Sequence, residues 1–148
     1  PRQPERPSGL TPILLALAAL VAAAIVGFLL ITRGNSAKAA RIDAVRSSIQ
    51  TFDAAVRNGD LAALRNVTCG QTRDTYVNYD DKAWADAYSK ISEAKQYPVV
   101  ASIDEVVVNG EHAEANVTSY MAFDPTTTST RSFDLQLRDD QWKICQSS

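Results

Sequence analysis

The chain has 148 residues, 15 of them basic and 17 acidic, for a net charge of −2. That balance is a poor match for nucleic acid, whose binding relies on neutralising phosphates. One histidine and two cysteines, far apart in sequence, also argue against a structural zinc site.

Residues 1–9, "PRQPERPSG", carry three prolines and almost nothing to bury. They read as an extended, disordered tail. Residues 10–32 follow as a transmembrane helix: Pro12 to Ile31 is uncharged. At about 1.5 Å per residue, such a run crosses a hydrocarbon core of about 30 Å. It is longer than the apolar region of about 7–15 residues in a cleaved signal peptide. "SAKAA" (Ser36 to Ala40) offers a small-residue cleavage match, but a retained single-pass helix is the expectation. Ala16, Ala19, Ala23 and Gly27 make a small-residue stripe along it. Such stripes let helices approach closely in lipid, so these residues are the candidate interface with a partner helix. A compositional accident in an Ala-rich span is the bland alternative.

Residues 33–37 read as a hinge, with Ser36 as an N-cap. The remainder, 38–148, has the size of one domain. From residue 41 onward it carries 11 basic and 16 acidic residues. Ile42, Val45, Ile49, Phe52 and Val56 recur at steps of three and four, one face of an amphipathic helix. Asn58-Gly59 suits a left-handed helix end, and Asp60 a cap for a short second helix, "LAALRNV". Cys69-Gly70 closes that unit. A third helix starts at Asp80 or Asp81, has Trp84, Ala87, Tyr88 and Ile91 on one face, and ends before Pro98.

The period then changes to two. "VVASIDEVVV" and "HAEANVTSYMAF" flank Asn109-Gly110, a hairpin signal. Val106, Val108, Ala113, Ala115, Val117 and Met121 should share one face. "FDPTTTST" reads as a polar loop. "RSFDLQLR" alternates, with Phe133, Leu135 and Leu137 on one side. "DD" then turns the chain into "QWKICQ". Three helices followed by about four antiparallel strands make an α+β domain.

This order of elements resembles the nuclear-transport-factor-2-like (cystatin-like) superfamily. The likeness lies in "IQTFDAAVRNGDLAALRNVTC" at the front and "LRDDQWKICQSS" at the back. With the preceding apolar helix, the chain looks like the single-pass envelope proteins of actinobacteria associated with mammalian-cell-entry transporters. The resemblance implies a curved sheet wrapped around helices to form a cone. It also implies that the segment after the second helix can approach the last strand, so that Cys69 and Cys145 can be joined. Two unrelated buried thiols in a cytoplasmic domain remain the alternative. A disulfide needs an oxidising compartment, so the pairing would place the N-terminus in the cytoplasm and the domain outside the cell membrane. Basic residues on both sides of the apolar run leave the orientation otherwise undecided.

The superfamily includes isomerases and dehydratases, but their catalytic residues have no clear counterpart here. His112 reads as a surface residue beside a turn, and Asp104, Glu105 and Glu114 as exposed strand positions. No catalytic, cofactor-binding or metal site is expected. Tyr76, Tyr79, Trp84, Tyr88, Tyr97, Tyr120 and Trp142 are candidates to line the mouth of a cone holding an apolar ligand, with ordinary core as the bland alternative. The expected role is a non-enzymatic accessory or scaffold subunit of a cell-envelope membrane complex. The expected partners are a membrane, a larger complex and a second copy of the chain as homodimer. A lipid-binding module is the alternative, and an isomerase- or dehydratase-like enzyme a more distant one.

Overall fold

The computed structural model describes residues 10–147, with side chains from Ala16 onward. The Pro-rich tail lies outside the described residues. The chain divides after Ala39 into two compact units.

The first unit holds the N-terminal part of helix α1, Leu10–Asn58. This helix is long and apolar enough to cross a membrane. Leu17, Leu20, Phe28 and Ile31 on it are exposed. Residues 33–37, expected as a hinge, are helical, so Ser36 caps nothing. Alanine, lysine and arginine are good helix formers, and the single Gly34 costs about 1 kcal/mol against them, too little to break a helix by itself.

The second unit starts in the same helix. Val45 and Ile49 are fully buried there, and Phe52 packs against the core. The 3.6-residue period is thus realised as read. Gly59 ends the helix with φ +65°, and the Asp60 amide donates back to the Ala55 carbonyl at 3.0 Å. The Asp60 carboxylate then caps α2 (Leu61–Val67), accepting from the Ala63 amide at 3.0 Å. Helix α3 (Gly70–Val77) was not expected. "GQTRDTYV" has no apolar period and buries no residue, which is why the pattern misses it. Helix α4 (Asp81–Glu93) is capped by Asp80. It ends earlier than Pro98 requires, because Lys95 adopts a left-handed φ of 52° and the Gln96 amide reaches the Ile91 carbonyl.

The sheet is an antiparallel meander, β1 (Pro98–Asn109), β2 (His112–Met121), β3 (Asp124–Arg138) and β4 (Gln141–Ser147). The first hairpin loop is Gly110-Glu111, one residue later than Asn109-Gly110, with Asn109 paired to His112. Val108 faces Ala113 and Val106 faces Ala115, so the inner face is the one expected. Positive φ at both Asp139 and Asp140 makes the last hairpin turn, where short acidic side chains tolerate the left-handed region. "DPTTTST" is strand, not loop: Thr128, Ser129 and Thr130 pair with Tyr120, Ser119 and Thr118. Threonine is β-branched and suits an exposed strand as well as a loop.

The core joins α1 to the sheet through Val45, Ile49, Val117, Leu135, Trp142 and Ile144. Leu64 on α2 is fully buried as well.

Candidate functional site

Cys69 and Cys145 are bonded, with Cα atoms 4.4 Å apart and a sequence separation of 76. The bond sits within a wider junction. The Cys69 amide donates to the Ile144 carbonyl at 2.8 Å, Thr68 bridges to Ile144 in parallel, and the Thr72 hydroxyl donates to the Cys145 carbonyl at 2.9 Å. The start of α3 is thereby fastened along β4, which otherwise has a neighbour only on its β3 side.

The opposite edge, β1, is held by α1. The Asp53 carboxylate accepts from the Val100 amide at 2.8 Å and from Arg57 one helical turn on. The Arg46 guanidinium donates to the Ile103 carbonyl at 2.7 Å. Asp53 is buried and was not singled out from the sequence. Its signal was available: it lies four residues after Ile49, inside the apolar stripe, where a carboxylate needs partners.

These helices and this bulged antiparallel sheet match solved structures. One match, an NTF-2-like protein of unknown function from Shewanella oneidensis MR-1, has a TM-score of 0.50 at 16% identity, covering 71% of this chain and 94% of that one. The chain has the nuclear-transport-factor-2-like fold. The protein named Rd1NTF2_05, in a five-substitution form, agrees at a TM-score of 0.52 and 12% identity, covering 72% of this chain and 96% of that one. No family model and no curated protein matches the sequence.

Within this nuclear-transport-factor-2-like domain, the aromatic candidates separate. Tyr76, Tyr79 and Tyr88 gather around Trp84, with ring centroids 6.0, 5.4 and 5.8 Å from it. The Trp84 indole donates to the Gly59 carbonyl at 2.8 Å and the Tyr88 hydroxyl to the Arg57 carbonyl. Burial pushes the Tyr76 hydroxyl pKa up. These four rings pack on one another and on the α1–α2 corner. Trp142 is core, facing Leu137 across β3–β4. Tyr120 lies on β2 opposite Val99, and Tyr97 is half-buried just before β1. The seven pocket candidates therefore do not converge on one cavity.

Among the open surface grooves of the described residues, three exceed about 300 Å³, and a smaller one of about 230 Å³ lies against Glu105, Val107, Glu114 and Asn116. One of about 340 Å³ lies between α1, α2 and the last hairpin, lined by Ser47, Ser48, Thr51 and Asn66. A second, of about 410 Å³, runs beside the disulfide and carries Arg65, Arg73, Arg138 and Lys143. The third, about 470 Å³, is bordered by His112, Glu114 and Asp134.

His112, Glu105 and Glu114 are exposed, and so is Asp104. The Ser102 and Thr118 hydroxyls donate to Asp104 and hold its carboxyl below the usual range. No cluster of three metal-ligating side chains occurs among the described residues. On the N-terminal helix, Ala16, Ala19 and Ala23 are exposed and Gly27 is half-exposed.

Proposed function

We propose that this protein is a non-enzymatic, membrane-anchored accessory or scaffold subunit of a cell-envelope complex, with its folded domain outside the cytoplasm. The observation that carries this reading is how the space between the helices and the sheet is filled. Ile49, Leu64, Val117, Leu135 and Ile144, each under 2% exposed, occupy the space between helices and sheet. A ligand would have to displace them, at a cost of packing and burial. Four of the aromatic residues that a lipid-binding module would use, Tyr76, Tyr79, Trp84 and Tyr88, pack on one another instead, and Trp142 is core. The acidic side chains weighed for catalysis lie on the solvent face. What is left to act is surface, together with an apolar helix.

The Cys69–Cys145 bond supports the orientation, because disulfides persist in oxidising compartments. The link to mammalian-cell-entry transporters has the sequence resemblance alone behind it.

The test is affinity purification of the full chain from native membranes in mild detergent. A defined set of envelope membrane proteins should co-purify. Replacing Ala19, Ala23 and Gly27 together with leucine should leave insertion intact and reduce that recovery, by holding a partner helix away. Recovery of the bare monomer from the unaltered chain would overturn the proposal. Unchanged recovery from the triple variant would remove the stripe from it.

A further inference from the structure

The folded domain is acidic, with 16 acidic against 11 basic residues beyond position 40, yet four of its cations meet in one place. Arg65 on α2, Arg73 on α3, Arg138 at the end of β3 and Lys143 on β4 line the groove of about 410 Å³ beside Cys69. One acidic side chain, Asp139, shares it. Among the described residues the ion pairs are Arg57–Asp53 and Lys82–Asp86, so none of the four groove cations is paired with a carboxylate. Three of them are hydrogen-bonded within the domain: Arg138 donates from Nε and Nη2 to the Gln136 side-chain oxygen at 3.2 and 2.8 Å. Arg65 donates from Nε to the Tyr76 carbonyl at 3.1 Å and from Nη2 to the Tyr79 carbonyl at 2.6 Å. Arg73 donates from Nε to the Arg65 carbonyl at 3.2 Å. Their remaining guanidinium nitrogens are left for another acceptor. Because these side chains are already partly held, binding sacrifices less of their freedom.

We propose that this groove docks an acidic segment of a partner protein, its carboxylates meeting the arginines and Lys143. The groove is open, and its four cations come from four separate elements, α2, α3, β3 and β4. Several points of attachment suit a chain that carries several carboxylates better than a single small anion. The accessory-subunit reading supplies the partner, but the groove's chemistry stands without it.

The full chain in nanodiscs of neutral phosphatidylcholine is titrated with fluorescent hexaglutamate by anisotropy. Binding should be measurable at low salt and weaken as salt rises. Arg138→Gln with Lys143→Gln, two positions outside the arginine scaffold, should weaken it at least tenfold with an unchanged melting temperature. Lys90→Gln with Lys95→Gln makes the same charge change elsewhere and should have little effect. Equal loss in both double variants, or none in the first, would overturn the proposal. Two further outcomes would also overturn it. Displacement of the peptide by micromolar inorganic phosphate would make the groove a phosphate site. Tighter, groove-dependent binding to phosphatidylglycerol vesicles would make it a lipid contact. If the peptide binds but the native chain purifies alone, the groove stands and the accessory-subunit proposal falls.

Discussion

The Asp53 carboxylate, on the core side of α1, accepts the amide of Val100 on the outermost strand at 2.8 Å. A sheet edge is weakly held, and this contact fastens it to the long helix across 47 positions of sequence. Leaving a buried amide unsatisfied costs about 1–3 kcal/mol, and Val100 is half-buried, which sets that range as an upper bound. Asp53→Leu should therefore destabilise the domain by up to that amount in chemical denaturation, and the Val100 amide should exchange faster with solvent. Asp53→Asn keeps an acceptor oxygen and should lose less. If leucine proves neutral, the edge is held by packing alone.

Trp142 is 4% exposed and lies in the α1–sheet core. Trp142→Ala should cost about 3–5 kcal/mol, a large share of the stability of about 5–15 kcal/mol usual for a domain. Thermal melting would show it as a fall of many degrees. A fall of one or two degrees would contradict its place in the core.

Gly59 takes a left-handed φ of +65°, and the ring of Tyr88 lies where its Cβ would be. Gly59→Ala meets both penalties. The backbone cost is about 1–2 kcal/mol, and Tyr88 must also leave its place against the α1–α2 corner. The loss should exceed 1 kcal/mol in denaturant melts. A companion Tyr88→Ala variant should make the added effect of Gly59→Ala smaller, because the steric part has gone.

Some of this was readable from the chain and some was not. The stripe from Ile42 to Val56 and the inner face from Val106 to Val117 came through, because burial on one side imposes a period. The caps at Gly59, Asp60 and Asp80 came through because each meets a local backbone requirement. Helix α3 did not. It is held by contacts from Arg65, Thr72 and the disulfide, made by residues distant in sequence or carrying no apolar signal. The polar half of β3 was lost for a related reason: its pairing with β2 is made by the backbone, and serine and threonine serve loops equally well. The aromatic residues were identified as a set, but composition could not distinguish a lined cavity from a self-packed cluster. The basic groove was not legible, since its four cations come from α2, α3, β3 and β4 and only the folded chain brings them together.

Asp104 offers a check by pH. Donation from Ser102, then Thr118, favours its charged form and lowers its pKa. A carboxyl whose folded pKa lies below its unfolded value adds stability above the unfolded value, and that stability is lost as pH falls through the folded one. NMR titration should find Asp104 below the ordinary aspartate range. Ser102→Ala should raise it, and Thr118→Val should raise it by less. An ordinary pKa in the unaltered chain would mean the two hydroxyls face solvent.

The disulfide gives the last prediction. It closes a loop of 76 positions, and in the chain-entropy model that constraint on the unfolded state is worth about 4 kcal/mol. Cys145→Ser should destabilise the domain by about 2–5 kcal/mol. The double replacement at Cys69 and Cys145 should be no worse, because one bond is lost in both. Native contacts around the bond are independent of it: Cys69 still has the Ile144 carbonyl, and Thr72 the Cys145 carbonyl. The reduced domain should thus keep its sheet and lose stability mainly through its freer unfolded state. Hydrogen exchange at the Cys69 amide would report this, with protection persisting after reduction but at a lower opening free energy. Alkylation of intact cells before lysis, followed by non-reducing mass spectrometry, checks the compartment as well. A bonded pair fits a domain outside the cytoplasm. Two alkylated thiols would remove the bond from the living cell and, with it, the physical basis for the proposed orientation.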